Sequence, residues 1–85
     1  MIYFEPGIYV VVEQIEDERA PHPLPLASGF STHFAYRILG IYTPSETSEA
    51  YFILANDDDE IWFISNRHFR AYKILTDKDD FKVPV

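Results

Sequence analysis

Side chains able to do chemistry are present in this chain, but their spacing does not gather them. The three histidines, His22, His33 and His68, include no pair at the H-x-x-x-H spacing that turns two imidazoles toward one metal. A zinc site built from all three would also need outer hydrogen-bond partners to fix each ring. They read instead as partly exposed rings, two of them in or beside a loop. Asp57, Asp58, Asp59 and Glu60 form the densest acidic cluster, and a hard cation such as calcium takes six to eight oxygen ligands. The alternating acidic spacing and the glycine of a calcium loop are missing, so a solvated turn is expected there. Ser28 lies in Ala27-Ser28-Gly29, without the G-x-S-x-G elbow that exposes a nucleophile, and no glycine-rich run could cradle a phosphate. The chain has no cysteine, which excludes disulfides, a thiolate nucleophile and cysteine-based zinc. No catalytic residue, metal or cofactor is expected, and an enzyme is not the expected class.

Charge narrows the partners. Fourteen acidic against seven basic residues give a formal net charge of −7. Nucleic-acid affinity comes mainly from neutralising phosphates with Lys and Arg, so nucleic acid is not expected as a partner. An anionic membrane surface would repel the chain likewise. No stretch approaches the ~20 apolar residues that span a bilayer. The opening Met1-Ile2-Tyr3-Phe4-Glu5 lacks the basic start of a signal peptide, so a cytoplasmic location is the expectation. Arg67, Arg70 and Lys73 are the one concentrated basic segment. They read as cations ending a helical turn and balancing the acidic turn, rather than as a phosphate site.

The elements that would position these residues are strands. Seven Phe, six Tyr and one Trp make 16% of the chain, which supplies the area a small core needs. Pro6-Gly7 opens a run from Ile8 to Glu13 whose valines are poor in helix interiors. Pro21, Pro23 and Pro25 then predict an extended, polyproline-like loop over 16–33, stiffened by its prolines. Leu24, Leu26 and Phe30 could fold back from it onto the core. Arg19 to Pro25 also has the basic-plus-proline character of a displayed peptide ligand, though a stiffened loop is favoured. Alternation over Phe34 to Tyr42 predicts a second strand, with Gly40 marking a bulge or a close backbone approach. After a polar connection from Thr43 to Glu49, Ala50 to Asn56 and Ile61 to Ser65 form a hairpin around the acidic turn. Ser65 or Asn66 then caps one helical turn through Arg67, His68 and Phe69. A last strand covers Ala71 to Leu75, with a longer helix over 67–75 as the alternative. One small β domain over 1–75 and a frayed, charged tail over 76–85 complete the expectation.

This order is mainly β: a small antiparallel SH3-like barrel, or a strongly bent five-stranded sheet, with one short helical turn. Ser65-Asn66 followed by aromatic Phe69 resembles the segment before the last strand of SH3 domains. The Ala-Leu-Tyr opening and the paired tryptophans of those domains are absent. The resemblance covers the last third of the chain and carries no function.

The strands are apolar on both faces: Ile8, Val10 and Val12 against Tyr9 and Val11, Tyr51 and Ile53 against Phe52 and Leu54, Ile61 and Phe63 against Trp62 and Ile64. A half-exposed antiparallel sheet should alternate apolar with polar. Either the proline loop and tail cover the second faces, or another chain does. A non-catalytic protein–protein interaction or self-association module follows, with Trp62, Tyr51, Tyr36 and Tyr42 as contact residues on an aromatic strand face. Arg67 and Arg70 would add polar rim contacts. A second expectation, drawn from the charge and the acidic clusters at 13–18 and 57–60, is an inhibitor that mimics nucleic acid in the basic groove of a DNA- or RNA-handling protein.

Overall fold

Three successive valines seed the first sheet in this computed structural model, which describes residues 7–44, 49–76 and 79–85. Strand β1 (Gly7–Val12) runs between β2 (Phe34–Arg37) and β6 (Phe69–Leu75), and β7 (Lys82–Pro84) adds to the far side of β2. The order is β6-β1-β2-β7, antiparallel throughout. Tyr9 lies opposite Lys73 while Val10 lies opposite Ala71. Tyr72 is therefore left without a partner, as the extra residue of a β-bulge.

The second sheet is β3-β4-β5, from β3 (Gly40–Tyr42), β4 (Tyr51–Ala55) and β5 (Ile61–Ser65). The alternating run from Phe34 to Tyr42, expected as one strand, is divided between the sheets. The Ile38 N–H donates to the Ile8 carbonyl at 2.8 Å, in the first sheet. The Leu39 N–H donates to the Ile53 carbonyl at 2.8 Å, in the second. Such a corner lets one strand serve two packed layers. Gly40 is a close approach: a Cβ there would lie 3.1 Å from Ile53 Cδ1.

The fold is mainly β, in two antiparallel sheets with short helical turns. Among the described residues the two sheets do not close into a barrel, and the strands number seven rather than five. The β4–β5 hairpin forms around the acidic turn as expected. The expected single turn is a 3-10 turn at Asn66–His68, where Ser65 Oγ accepts from the Arg67 N–H at 3.3 Å. The last core strand follows at once from Phe69. Pro6, residues 45–48 of the polar connection, and residues 77–78 of the tail lie outside the described residues.

Two expectations are corrected. The 76–85 tail was expected to fray, yet it carries β7 and pairs Val83 with Ala35. Its attachment has a physical basis: Val83 packs against Tyr9, Val11 and Ala35, and the Tyr9 hydroxyl donates to the Asp80 carbonyl at 2.6 Å. The loop over 16–33 is not extended either. Pro25–Ser28 is a 3-10 turn. Proline fits its first position, where no N–H is needed, and Ser28 Oγ donates to the Leu24 carbonyl at 2.8 Å. Phe30 enters the core, Leu24 is half-buried and Leu26 is exposed.

The main core lies between the sheets: Val10, Val12, Phe30, Tyr36, Leu54 and Ile64, flanked by Phe34, Ile38, Phe52, Trp62 and Phe69. Phe30 meets Tyr36 edge-on with ring centres 4.9 Å apart, a favoured aromatic geometry. A second cluster of Tyr9, Val11 and Ala35, joined by Tyr72, Leu75 and Val83, lies on the opposite face of the first sheet. Val10 and Val12 on one face of β1 and Tyr9 and Val11 on the other are thus covered within the chain, while Ile8 is about half-exposed.

Candidate association surface

The second sheet keeps part of one apolar face exposed. Register places Tyr42 beside Tyr51, Gly40 beside Ile53, Ile53 beside Phe63, and Ala55 beside Ile61. Side chains alternate along a strand, so Tyr42, Tyr51, Ile53, Phe63 and Ile61 share the face opposite the core. Their neighbours Phe52, Leu54, Trp62 and Ile64 point into the main core. Tyr42, Phe63 and Ile61 remain 49%, 46% and 54% exposed. The Tyr42 and Phe63 rings meet edge-on at 5.7 Å across the central strand. Large aromatic and branched side chains adjoining in water form a patch rather than scattered apolar residues.

The expected contact residues separate in space. Tyr42 and Tyr51 are brought together on this face. Trp62 is on the other one, half-buried against the core, with its Nε1–H 3.4 Å from Glu60 Oε1. The hairpin register, Leu54 opposite Trp62, fixes that side. Tyr36 is fully buried. Its hydroxyl donates to Asp57 Oδ1 at 2.6 Å and accepts from the Ser31 N–H at 2.8 Å. Burial first, then the bond to the Asp57 carboxylate, pushes the phenol up from 10.0 to about 12. Tyr36 is therefore a core residue and has no surface to offer a partner. Arg67 is exposed beside Glu49, Nη1 to Oε1 3.9 Å. Arg70 lies on the first sheet, its Nε donating to Glu13 Oε2 at 2.8 Å. Both pairs are solvent-exposed and contribute little to stability. Phe63 and Ile61 are the members that the choice of Trp62 passed over. Their parity with Tyr51 across the hairpin was the signal.

The other candidate groups have structural work. Asn56 is buried at the start of the acidic turn: Nδ2 donates to the Ser28 carbonyl and to Glu60 Oε1, each at 2.8 Å. Its Oδ1 accepts the Asp58 and Glu60 N–H groups, each at 2.9 Å. The expected solvated turn holds for exposed Asp58 and Asp59, whereas Asp57 and Glu60 use their carboxylates within the fold. His68 is buried, and its Nδ1 accepts the Ile15 N–H at 3.1 Å. Nδ1 therefore carries no hydrogen, so Nε2 holds the proton and donates to the Pro21 carbonyl at 2.7 Å. The ring ties Ile15, at the start of the loop, to Pro21 within it. Within the segment from Arg19 to Pro25, Pro21 is so held and Pro25 is buried, while Arg19 and His22 are exposed. His22 and His33 are exposed, and among the described residues no three His, Asp or Glu side chains could share a metal. No described helix is long and apolar enough to cross a membrane. Searches against protein-family models, curated proteins and solved structures each give no match.

Proposed function

We propose that this chain is a non-catalytic protein–protein interaction module that docks through the outer face of β3, β4 and β5. One observation carries the reading: Tyr42, Phe63 and Ile61 are about half-exposed on a sheet whose other face packs Phe52, Leu54, Trp62 and Ile64 into the core. Tyrosine and phenylalanine lose little conformational freedom when they become buried contacts, and contiguous exposed apolar area marks association sites. An SH3-like arrangement is the architecture this connectivity supports. It has a long first loop, a strand that bends from one sheet into the other, a hairpin, and a 3-10 turn before β6. The nucleic-acid mimic draws less support, because Glu13 faces Arg70, the Asp57 carboxylate accepts from Tyr36 and the Glu60 carboxylate from Asn56.

A photo-crosslinking amino acid at position 42 tests the proposal in cells that express the protein, with position 26, exposed in the loop, as the control. Protein adducts from 42 and not from 26 are expected. Adducts from neither position, or equally from both, would remove the basis for a dedicated face.

A further inference from the structure

The sheet edges differ in how they are protected against strand addition. Edge strands present unpaired N–H and C=O groups, and proteins blunt them with charge, proline, bulges or short length. Strand β7 has three residues and carries Lys82 and Pro84. Strand β3 has three residues, with Pro44 two positions beyond it. Strand β6 carries Arg70 and Lys73 and is bulged at Tyr72. Strand β5, Ile-Trp-Phe-Ile-Ser, has none of these devices.

The hydrogen-bond phase of β5 shows which groups face outward. Asn56 donates its N–H to the Glu60 carbonyl, and Asn66 donates its N–H to the Ala50 carbonyl. In an antiparallel pair, bonded positions recur every second residue. Residues 60, 62, 64 and 66 therefore bond toward β4, and the N–H and C=O of Ile61, Phe63 and Ser65 point to the free edge. Ser65 is buried, whereas Ile61 and Phe63 are about half-exposed. The open stretch is thus Ile61 to Phe63.

We infer that this edge pairs with β5 of a second copy, antiparallel about a twofold axis at Trp62. In that register Ile61 lies opposite Phe63 of the partner copy, and Phe63 opposite its Ile61. Each pair joins two outward-pointing residues, and no bond is asked of buried Ser65. The outer face then gains two cross-strand aromatic–aliphatic pairs, which are stabilising neighbours in a sheet. Charge agrees with the direction of pairing. The acidic turn lies before β5 and Arg67 after it, so antiparallel pairing brings Arg67 of each copy toward the acidic end of the other copy's β5. Two three-stranded sheets would become one of six. The inference rests on the association reading above, because Ile61 and Phe63 belong to both surfaces.

The native chain has no cysteine, so single introduced thiols report the register directly. Opposed residues of a hydrogen-bonded antiparallel pair have Cα atoms ~5.5 Å apart, within reach of a disulfide. Light scattering after size exclusion should show a concentration-dependent dimer, and Ile61→Lys should weaken it at least about tenfold. An oxidised mixture of Ile61→Cys and Phe63→Cys chains should cross-link faster than either variant alone, with Leu26→Cys inert. A chain that stays monomeric at all concentrations overturns the pairing. So does faster cross-linking of Phe63→Cys with itself, which would indicate another register, or of Tyr42→Cys with itself, which would indicate stacking of faces. A monomer that still yields adducts from position 42 loses the self-pairing and keeps the module; a monomer without adducts loses both.

Discussion

Gly29 and Asn56 occupy one another's only room. A Cβ on Gly29 would lie 2.5 Å from Asn56 Nδ2, and Gly29 has φ +89, the left-handed region that L side chains rarely adopt. The same carboxamide nitrogen bonds the Ser28 carbonyl beside it, and the Asp57 N–H donates to the Gly29 carbonyl at 2.9 Å. One buried amide thus joins the proline loop to the hairpin turn. Gly29→Ala should cost about 2 kcal/mol in chemical denaturation, from backbone strain plus displacement of the amide. Asn56→Ala should cost about 3 kcal/mol, since it leaves the Ser28 carbonyl and the turn N–H groups without a partner. In the Asn56→Ala background Gly29→Ala should cost at least ~0.5 kcal/mol less. Strict additivity would mean that the two residues do not meet.

Tyr36 makes stability depend on alkaline pH. Its phenol ionises near 10.0 when unfolded and at about 12 in the fold. Between those values the unfolded chain binds fewer protons than the folded one, so stability falls as pH rises. The contribution is fully present below pH 10 and is lost through pH 12. Tyr9, also raised chiefly by burial, acts in the same direction. Denaturation midpoints should therefore decline above pH 10, and Tyr36→Phe should flatten that decline while lowering stability at pH 7 through loss of the Asp57 bond. An unchanged alkaline slope in Tyr36→Phe would place the titration elsewhere.

Strand β1, the β4–β5 hairpin and the turn before β6 are legible because they rest on local signals: β-branched runs, an Asn-Asp turn, a Ser-Asn cap. What was not legible depended on distance. Nothing near Ile38 marks the corner where the chain changes sheets, because the deciding bonds come from Ile8 and Ile53. The attachment of β7 depends on Tyr9 and Ala35, far away in sequence. On the candidate surface, the alternation of β4 and β5 already placed Phe63 and Ile61 with Tyr51. Residue type drew attention to Trp62, which the same alternation turns inward. Period two gives Tyr36 a face without saying which face is buried, so its burial is not legible from alternation alone.

His68 should govern the loop without touching any partner. Both ring nitrogens are bonded, to the Ile15 N–H and the Pro21 carbonyl. His68→Phe keeps a ring in the space and strands one donor and one acceptor, each costing about 1–3 kcal/mol when buried. Amide exchange at Ile15 should accelerate, and protease should cut within 16–33 before the sheets unfold. Retained protection at Ile15 would show that the ring does not hold the loop.

Adjacent residues of β5 should answer oppositely to truncation. Trp62 packs against the main core, so Trp62→Ala removes buried area and should destabilise the monomer by about 3 kcal/mol. Phe63 is half-exposed and meets Tyr42 on the outer face. Phe63→Ala should cost about 1 kcal/mol or less in the monomer, since it loses one aromatic pair and little burial. Association should fall in Phe63→Ala while that variant stays folded, whereas the first effect of Trp62→Ala should be on the stability of the monomer. Denaturation curves and light scattering on the two variants separate stability from association. If Phe63→Ala proves the more destabilising and leaves association intact, the core and docking faces of the second sheet are interchanged.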